Sequence, residues 1–385
     1  MIIDLLDCTR IIQVMNQNSN FFKEVEDTTY NFLNLIKKPN KNFSYFPTES
    51  GLTKGGRNLE LGFSCFAIKI FYILGYWEKL SDEEKINWGN YINKFQQNIL
   101  NIPNNSYVDN VLVDNYLNID FSRIHKDFAK FLLNNLNIKN YDSKKDNLQT
   151  SVRAETKQAI STLYQVSLRP KYNYDQFPNK KNELDEFFKK LDWSKPWNAG
   201  AQYAGICVFS KNIDSHETLE YLHKFSDSIV NPNNGAYYLG SQPNKSELIN
   251  GTMKVISGLD WIDQDIHYPK KLIDLCISSF PENDGCDLVD IIYVMFQCSK
   301  VTNYKKKEII NYVSEILKII KNHYFRETGG FSYFLNKSQT HYYGVKISKG
   351  LNHPDIHGTT LLIWALSMIR EILEPENNNW KILKP

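Results

Sequence analysis

The chain has 385 residues, 42% of them hydrophobic, which is enough to bury a large core and excludes global disorder. Lys and Arg number 45 against 43 Asp and Glu, a net charge of +2, so no electrostatic argument favours a nucleic-acid or anionic-membrane partner. The six cysteines are scattered without a CxxC pair, which argues against a disulfide framework or a zinc ribbon.

The first ten residues carry Asp4 and Asp7 within an apolar run and lack a basic start, so no signal peptide is expected. An amphipathic helix follows at about 20–37. FSYF at 43–46 then precedes the first of six segments with apolar or small residues on most faces, 60–76. The other five are 152–168, 197–211, 249–262, 285–298 and 355–372; a helix apolar nearly all round is a buried helix. Each of the first five is followed by a Lys/Glu-rich segment with one apolar stripe, at 81–98, 181–190, 215–229, 269–280 and 302–323. No run of eighteen apolar residues occurs, so no transmembrane helix is expected and the cytoplasm is the expected location.

Six buried helices alternating with six amphipathic ones predict an all-α fold, an (α/α)6 toroid forming a single domain over 1–385. An open solenoid is the alternative, but it would need more regular spacing. The Asn-rich stretch 99–150 is expected to be a polar insertion. FSYF recurs at 331–334, with a degenerate AYYL at 236–239. Both later copies follow Gly-containing turns, and all three are expected as short hairpin-like strands packed on one face of the ring.

In such a ring the inner helices run the same way. Their N-termini, with unpaired N–H groups and positive dipole ends, converge on one mouth of a central cavity. The first turns and the loops leading into them supply Glu60, Arg153, Glu155, Gln158, Trp197, Gln202, Asn250, Lys254, Asp284, Cys286, Asp287, Asp290, Asp355, His357 and Thr359. Buried charges are costly unless paired, so this clustering marks a site, although Asp284 and Asp355 are equally suited to cap helices. Asp287 and Asp290 lie one helical turn apart; two close buried carboxyls should raise one pKa and favour a proton donor. Asp287 is therefore the expected general acid. Cys286 would tune it, and His357 would orient or reprotonate it. Expected substrate contacts are Arg153, Glu155, Gln202, Asn250 and Lys254, with aromatic walls from Trp197, Tyr203, Phe331 and Tyr333. His341 joins them from a lid over residues 340–343. The competing use of Asp284, Cys286 and His357 is a zinc site with an open position; otherwise no cofactor is expected. Lys54-Gly55-Gly56-Arg57 lacks the spacing of a phosphate-binding loop.

The ring, with 329–334, 355–369 and 284–297, resembles the terpenoid cyclase and protein prenyltransferase toroid superfamily. Cys286-Asp287 looks like the buried acid of triterpene cyclases, and Asp284-Gly285-Cys286 with His357 is similar to the zinc triad of protein prenyltransferase β subunits. No DxDD, DDxxD or complete QW repeat is present. The resemblance implies protonation-initiated cyclisation or transfer on an isoprenoid-like substrate. The polar mouth suits a hydroxylated or anionic substrate instead, as in (α/α)6 enzymes acting on glycans or sugar nucleotides. A non-catalytic binding toroid is the third reading. Either enzyme would take a small molecule in its cavity, and oligomeric state is left open.

Overall fold

The structure, a computed structural model, describes residues 2–117 and 144–385. It is mostly helical, with fourteen α-helices and three two-residue strand pairs among the described residues. In chain order these helices are α1 (Ile2–Ile36), α2 (Lys54–Asn58), α3 (Leu61–Ile73), α4 (Asp82–Asn93), α5 (Asn110–Leu117), α6 (Lys144–Gln165) and α7 (Lys181–Lys189). They continue with α8 (Pro196–Asn212), α9 (His216–Ile229), α10 (Lys245–Trp261), α11 (Pro269–Ile277), α12 (Gly285–Val301), α13 (Lys306–Lys321) and α14 (Ile356–Leu373).

The apolar-all-round segments form α3, α6, α8, α10, α12 and α14. Each packs on the next in this order, and α14 packs back on α3. Burial follows composition: every residue of α12 from Asp287 to Cys298 is buried. The amphipathic helices lie outside. On α13 only the stripe Ile309, Val313, Ile316, Leu317 and Ile320 is buried, the spacing of one helix face. The closest inner pair is α8 with α10, where Gly200 faces the Gly251 carbonyl and Gly251 faces Pro196; a methyl group at Gly251 would lie 2.5 Å from the proline Cβ. Helix α14 is long and apolar enough to cross a membrane by length and composition, but 72% of that window is buried in the fold, as expected of a core helix.

Helix ends of one kind share a face. Residues 378–385 run across the C-terminal ends: the Lys381 N–H donates to Ile73 at the end of α3, the Lys384 N–H to the Gln165 side chain at the end of α6, and Trp261, at the end of α10, donates to the Pro385 carbonyl. At the N-terminal ends, Asp284 before α12 bridges Phe334, and the Trp197 N–H of α8 donates to Glu247 of α10.

The aromatic repeat is real, with a register that differs from the motif alignment. A backbone pairing joins the exits of four outer helices, α1, α4, α9 and α13, to the segments leading inward: Lys37 with Tyr45, Gln96 with Tyr107, Val230 with Tyr237 and Tyr324 with Phe331. Here β1 (Gln96–Gln97) pairs with β2 (Ser106–Tyr107), and β3 (Tyr324–Phe325) with β4 (Gly330–Phe331). Phe331 thus occupies the place of Tyr45, two residues out of step with FSYF. All four paired aromatics are buried. Tyr107 is a fourth copy, inside the expected insertion. That insertion is shorter than 99–150: β2, α5 and the first two turns of α6 belong to the packed fold, and 118–143, with His125, lie outside the described residues.

Candidate functional site

Helices α3, α6, α8, α10, α12 and α14 all line a cavity of about 320 Å³. Phe66 and Lys69 come from α3, Arg153, Lys157 and Gln158 from α6, Gln202 from α8, Lys254 from α10, Cys286 and Asp290 from α12, and His357 and Trp364 from α14. Gln339 and residues 341–343 cover the N-terminal end, and Pro385 lies at the C-terminal end.

Four basic side chains and one carboxyl line this space. Lys254 reaches Asp290 Oδ1 at 3.3 Å, while Asp290 Oδ2 is buried with no partner. Burial pushes the Asp290 carboxyl up to about 6, against the pull of Lys254. Arg153 donates to Gln202 at 2.9 Å through Nε. Lys69 and Lys157 form no hydrogen bond or ion pair among the described residues. Burial, reinforced by the other cations, lowers Lys157 to about 7 and Lys69 to about 8. His357 stacks between Phe66 at 4.6 Å and Tyr333 at 5.2 Å, and its Nδ1 is buried without a partner. Burial and the nearby lysines drop it to about 3, so it stays neutral and can orient a partner, not reprotonate an acid. Burial raises Cys286 to about 12, which keeps it a thiol.

The structure sorts the expected site residues into three places. Arg153, Gln158, Gln202, Lys254, Cys286, Asp290, His341 and His357 line the cavity. Trp197, Asn250, Asp284 and Asp287 line a separate groove at the N-terminal ends of α8, α10 and α12. Both Asp287 oxygens are occupied there, one by Asn250 Nδ2 at 2.6 Å and one by Ser246 Oγ at 3.1 Å, so Asp287 and Asp290 face different spaces. The rest are packed structure. Tyr203 is fully buried, donates to the Leu222 carbonyl and packs on Phe188 of α7 and Phe225 of α9. Phe331 packs on Tyr324, and Tyr333 is held over Gly285 and Gly358. A methyl group at Gly358 would lie 2.3 Å from the Tyr333 nitrogen, so only glycine lets this segment approach α14 and bring the ring onto His357. Glu60 pairs with Lys38 and Lys41, and Thr359 bonds the Phe331 backbone.

Two caps carry the mouth. Asp284 and Asp355 are both N-caps, of α12 and α14. A third carboxylate, Asp109, caps α3 from a distance: its Oδ2 accepts from the Glu60 and Leu61 N–H groups at 2.7 and 3.2 Å. Glu155 stands behind it. One oxygen accepts from the Asp109 N–H at 3.2 Å and the other has no partner; burial first, and Asp109 second, push Glu155 up to about 8. The folded state therefore holds this proton more tightly than the unfolded chain, and the stability it contributes fades as pH rises from about 4.5 to about 8. Glu155→Gln keeps the acceptor without the titration. Relative to wild type, the variant is expected to gain about 1–3 kcal/mol in unfolding free energy between about pH 5 and 8. Denaturant titrations across that range check it; a constant difference would show that Glu155 does not titrate in the folded state.

The cover is a hairpin, β5 (His341–Tyr342) with β6 (Val345–Lys346), in the register His341 with Lys346 and Tyr342 with Val345. Its two-residue turn, Tyr343-Gly344, has φ of +42° and +78°, as a type I′ turn requires. A tyrosine in that first place is sterically costly, and its ring faces the cavity. Thr53 of the glycine-rich stretch clasps the hairpin by donating to the Ile347 and Lys346 carbonyls, and a methyl group at Gly56 would overlap the Ile347 oxygen. Those glycines serve packing.

The three-residue set near enough to share an ion, among the described residues, is Glu282, Asp284 and Asp287 in the groove. The zinc trio expected from sequence is divided: Asp284 faces the groove, whereas Cys286 and His357 face the cavity. Lys69 and Lys157 are the cavity residues that sequence reading passed over. The signal for them is a lone lysine in an otherwise apolar buried helix, as in FAIKIF. Compared with protein-family models, curated proteins and solved structures, the chain matches none.

Proposed function

We propose that this chain is a closed (α/α)6 toroid and an enzyme of general acid–base chemistry on a small hydroxylated substrate, a sugar or sugar derivative, held in the central cavity. The cyclic packing of six inner helices and the gathering of like helix ends on one face support the toroid. One observation carries the chemistry: Asp290, pushed up to about 6, pairs with Lys254 through one oxygen and leaves the other without a protein partner in a cavity lined by all six helices. Such a carboxyl is partly protonated near neutrality and suits proton donation. It replaces Asp287 as the acid because both Asp287 oxygens are already engaged. Neutral His357 would orient a hydroxyl, and Phe66 and Trp364 supply apolar lining beside it.

The isoprenoid reading asks the cavity to shelter a carbocation. Four basic side chains around the space would oppose developing positive charge, which favours the sugar reading. The expected cytoplasmic location is retained as part of this proposal; Cys65, Cys207, Cys276, Cys286 and Cys298 are all free. The test is Asp290→Asn in a screen for glycan hydrolysis, elimination and epimerisation. We expect turnover to fall roughly 10²–10⁴-fold in a folded protein, with loss of the acid limb of the wild-type pH profile. Retained turnover would overturn the assignment, and a wild type that binds sugars without turnover would favour the non-catalytic toroid.

A further inference from the structure

Lys69 and Lys157 project from neighbouring inner helices into the same cavity, and neither has an anionic partner or a hydrogen bond among the described residues. Arg153 stands one turn before Lys157 on α6 and lines the same wall. Among the described residues the one acidic side chain in the lining is Asp290, which is already paired with Lys254. Glu155, on the same helix as Lys157, accepts from the Asp109 backbone N–H. Both lysines are half-buried within the ring: the hairpin lies over one end of the cavity, and the segment ending at Pro385 lies at the other. A core helix gains nothing from a lysine in this setting. Apolar residues of similar size would pack as well without the desolvation cost, whereas an anion arriving from outside would supply the missing counter-charge.

We infer that Lys69, Lys157 and Arg153 form an oxyanion subsite, so that the substrate of the cavity is a sugar bearing a phosphate or a carboxylate. The inference rests on the cavity being the active site and adds the substrate class. Phosphate and carboxylate share the recognising chemistry, negative oxygens that accept from ammonium and guanidinium groups. The cavity volume of about 320 Å³ admits one small ring with its anionic group, not a long chain. Asp290, across the space, would then face the uncharged part of the same ring.

The test is calorimetric titration of the full chain in a buffer free of phosphate and carboxylate, with four probes: inorganic phosphate, a hexose phosphate, a hexuronate and the neutral hexose. We expect an anionic sugar to bind at least about tenfold more tightly than the neutral hexose. Comparison of the hexose phosphate with the hexuronate identifies which oxyanion the subsite takes. Lys69→Met and Lys157→Met are each expected to lower anionic-sugar affinity at least about tenfold and leave neutral-hexose binding unchanged, while unfolding at or above the wild-type temperature because a buried charge has been removed. A merely structural lysine would not give this combination. Asp290→Asn, which tests the acid, is expected to retain or strengthen anion binding because it removes the opposing negative charge. Its turnover can therefore contradict the acid assignment while the subsite stands. The inference is overturned if the wild type binds neither anionic sugar better than the neutral hexose. It is equally overturned if both lysine variants bind anions as the wild type does.

Discussion

Asp355→Ala is expected to lower the unfolding free energy by about 3–5 kcal/mol, the largest stability loss foreseen for any single side chain at the mouth. The carboxylate is 1% exposed and accepts three backbone N–H bonds: Gly358 at 2.8 Å on one oxygen, Tyr333 at 2.8 Å and Gln339 at 3.0 Å on the other. Truncation leaves three buried donors without acceptors, each costing about 1–3 kcal/mol before relaxation. Asp355→Asn should rescue it only in part, because whichever way its amide turns, its N–H groups face at least one of those donors. The loss is also local. Tyr333 stacks on His357, and Gln339 lines the cavity beside the hairpin, so hydrogen exchange should accelerate first over residues 331–346. Equilibrium denaturation measures the total; a loss under about 1 kcal/mol would mean that water replaces the carboxylate at all three donors.

The second large effect is on affinity. Anionic-sugar binding should weaken on the order of 10²-fold from about pH 7 to 9, the ceiling set by two lysines losing their protons. The groups facing this space are Lys69 from α3, Arg153 and Lys157 from α6, Lys254 from α10, Cys286 and Asp290 from α12, His357 from α14, and His341, Tyr342 and Tyr343 from the hairpin. Lys157 at about 7 and Lys69 at about 8 release protons as pH rises, which removes positive charge. Asp290 at about 6 has ionised before that range, adding negative charge, and His357 at about 3 is neutral throughout. These changes act in one direction, so the sign does not depend on how they are apportioned. A bound anion favours the protonated lysines, so binding should also take up protons, by up to one per lysine near the middle of the range. Titrations in buffers of differing ionisation enthalpy measure that uptake. A pH-independent affinity would show that neither lysine titrates at the site.

Most of the helical pattern was legible in the sequence because burial on all faces and burial on one face leave different spacings. The inner helices α8, α12 and α14 begin and end within three residues of their apolar segments. Helix α6 departed furthest. Its first two turns, beginning KKDNLQ, are charged and read as insertion, yet they pack beside α5. The site was less legible for a geometric reason. Residues three apart on a helix differ by about 60° in direction, which at the boundary between two spaces sends Asp287 into the groove and Asp290 into the cavity. Attention to first turns also passed over Lys69, which lies in the third turn of α3, and Lys157, which lies in the fourth turn of α6. The aromatics 331 and 333 read as cavity wall because alternation reveals a strand but not which of its faces meets the ring.

The packing of α14 back on α3 has a consequence for how the fold comes apart. Five of the six inner junctions join neighbours in sequence, but the sixth joins residues nearly three hundred positions apart, at a closure entropy that grows only logarithmically with that distance. In a linear array a terminal unit can fray while the remainder persists. Here the loss of α14 would bare one flank of α3 and one of α12 together and open the lysine-lined space to water. The last junction to form would therefore decide both whether the molecule is cooperative and whether it has an interior.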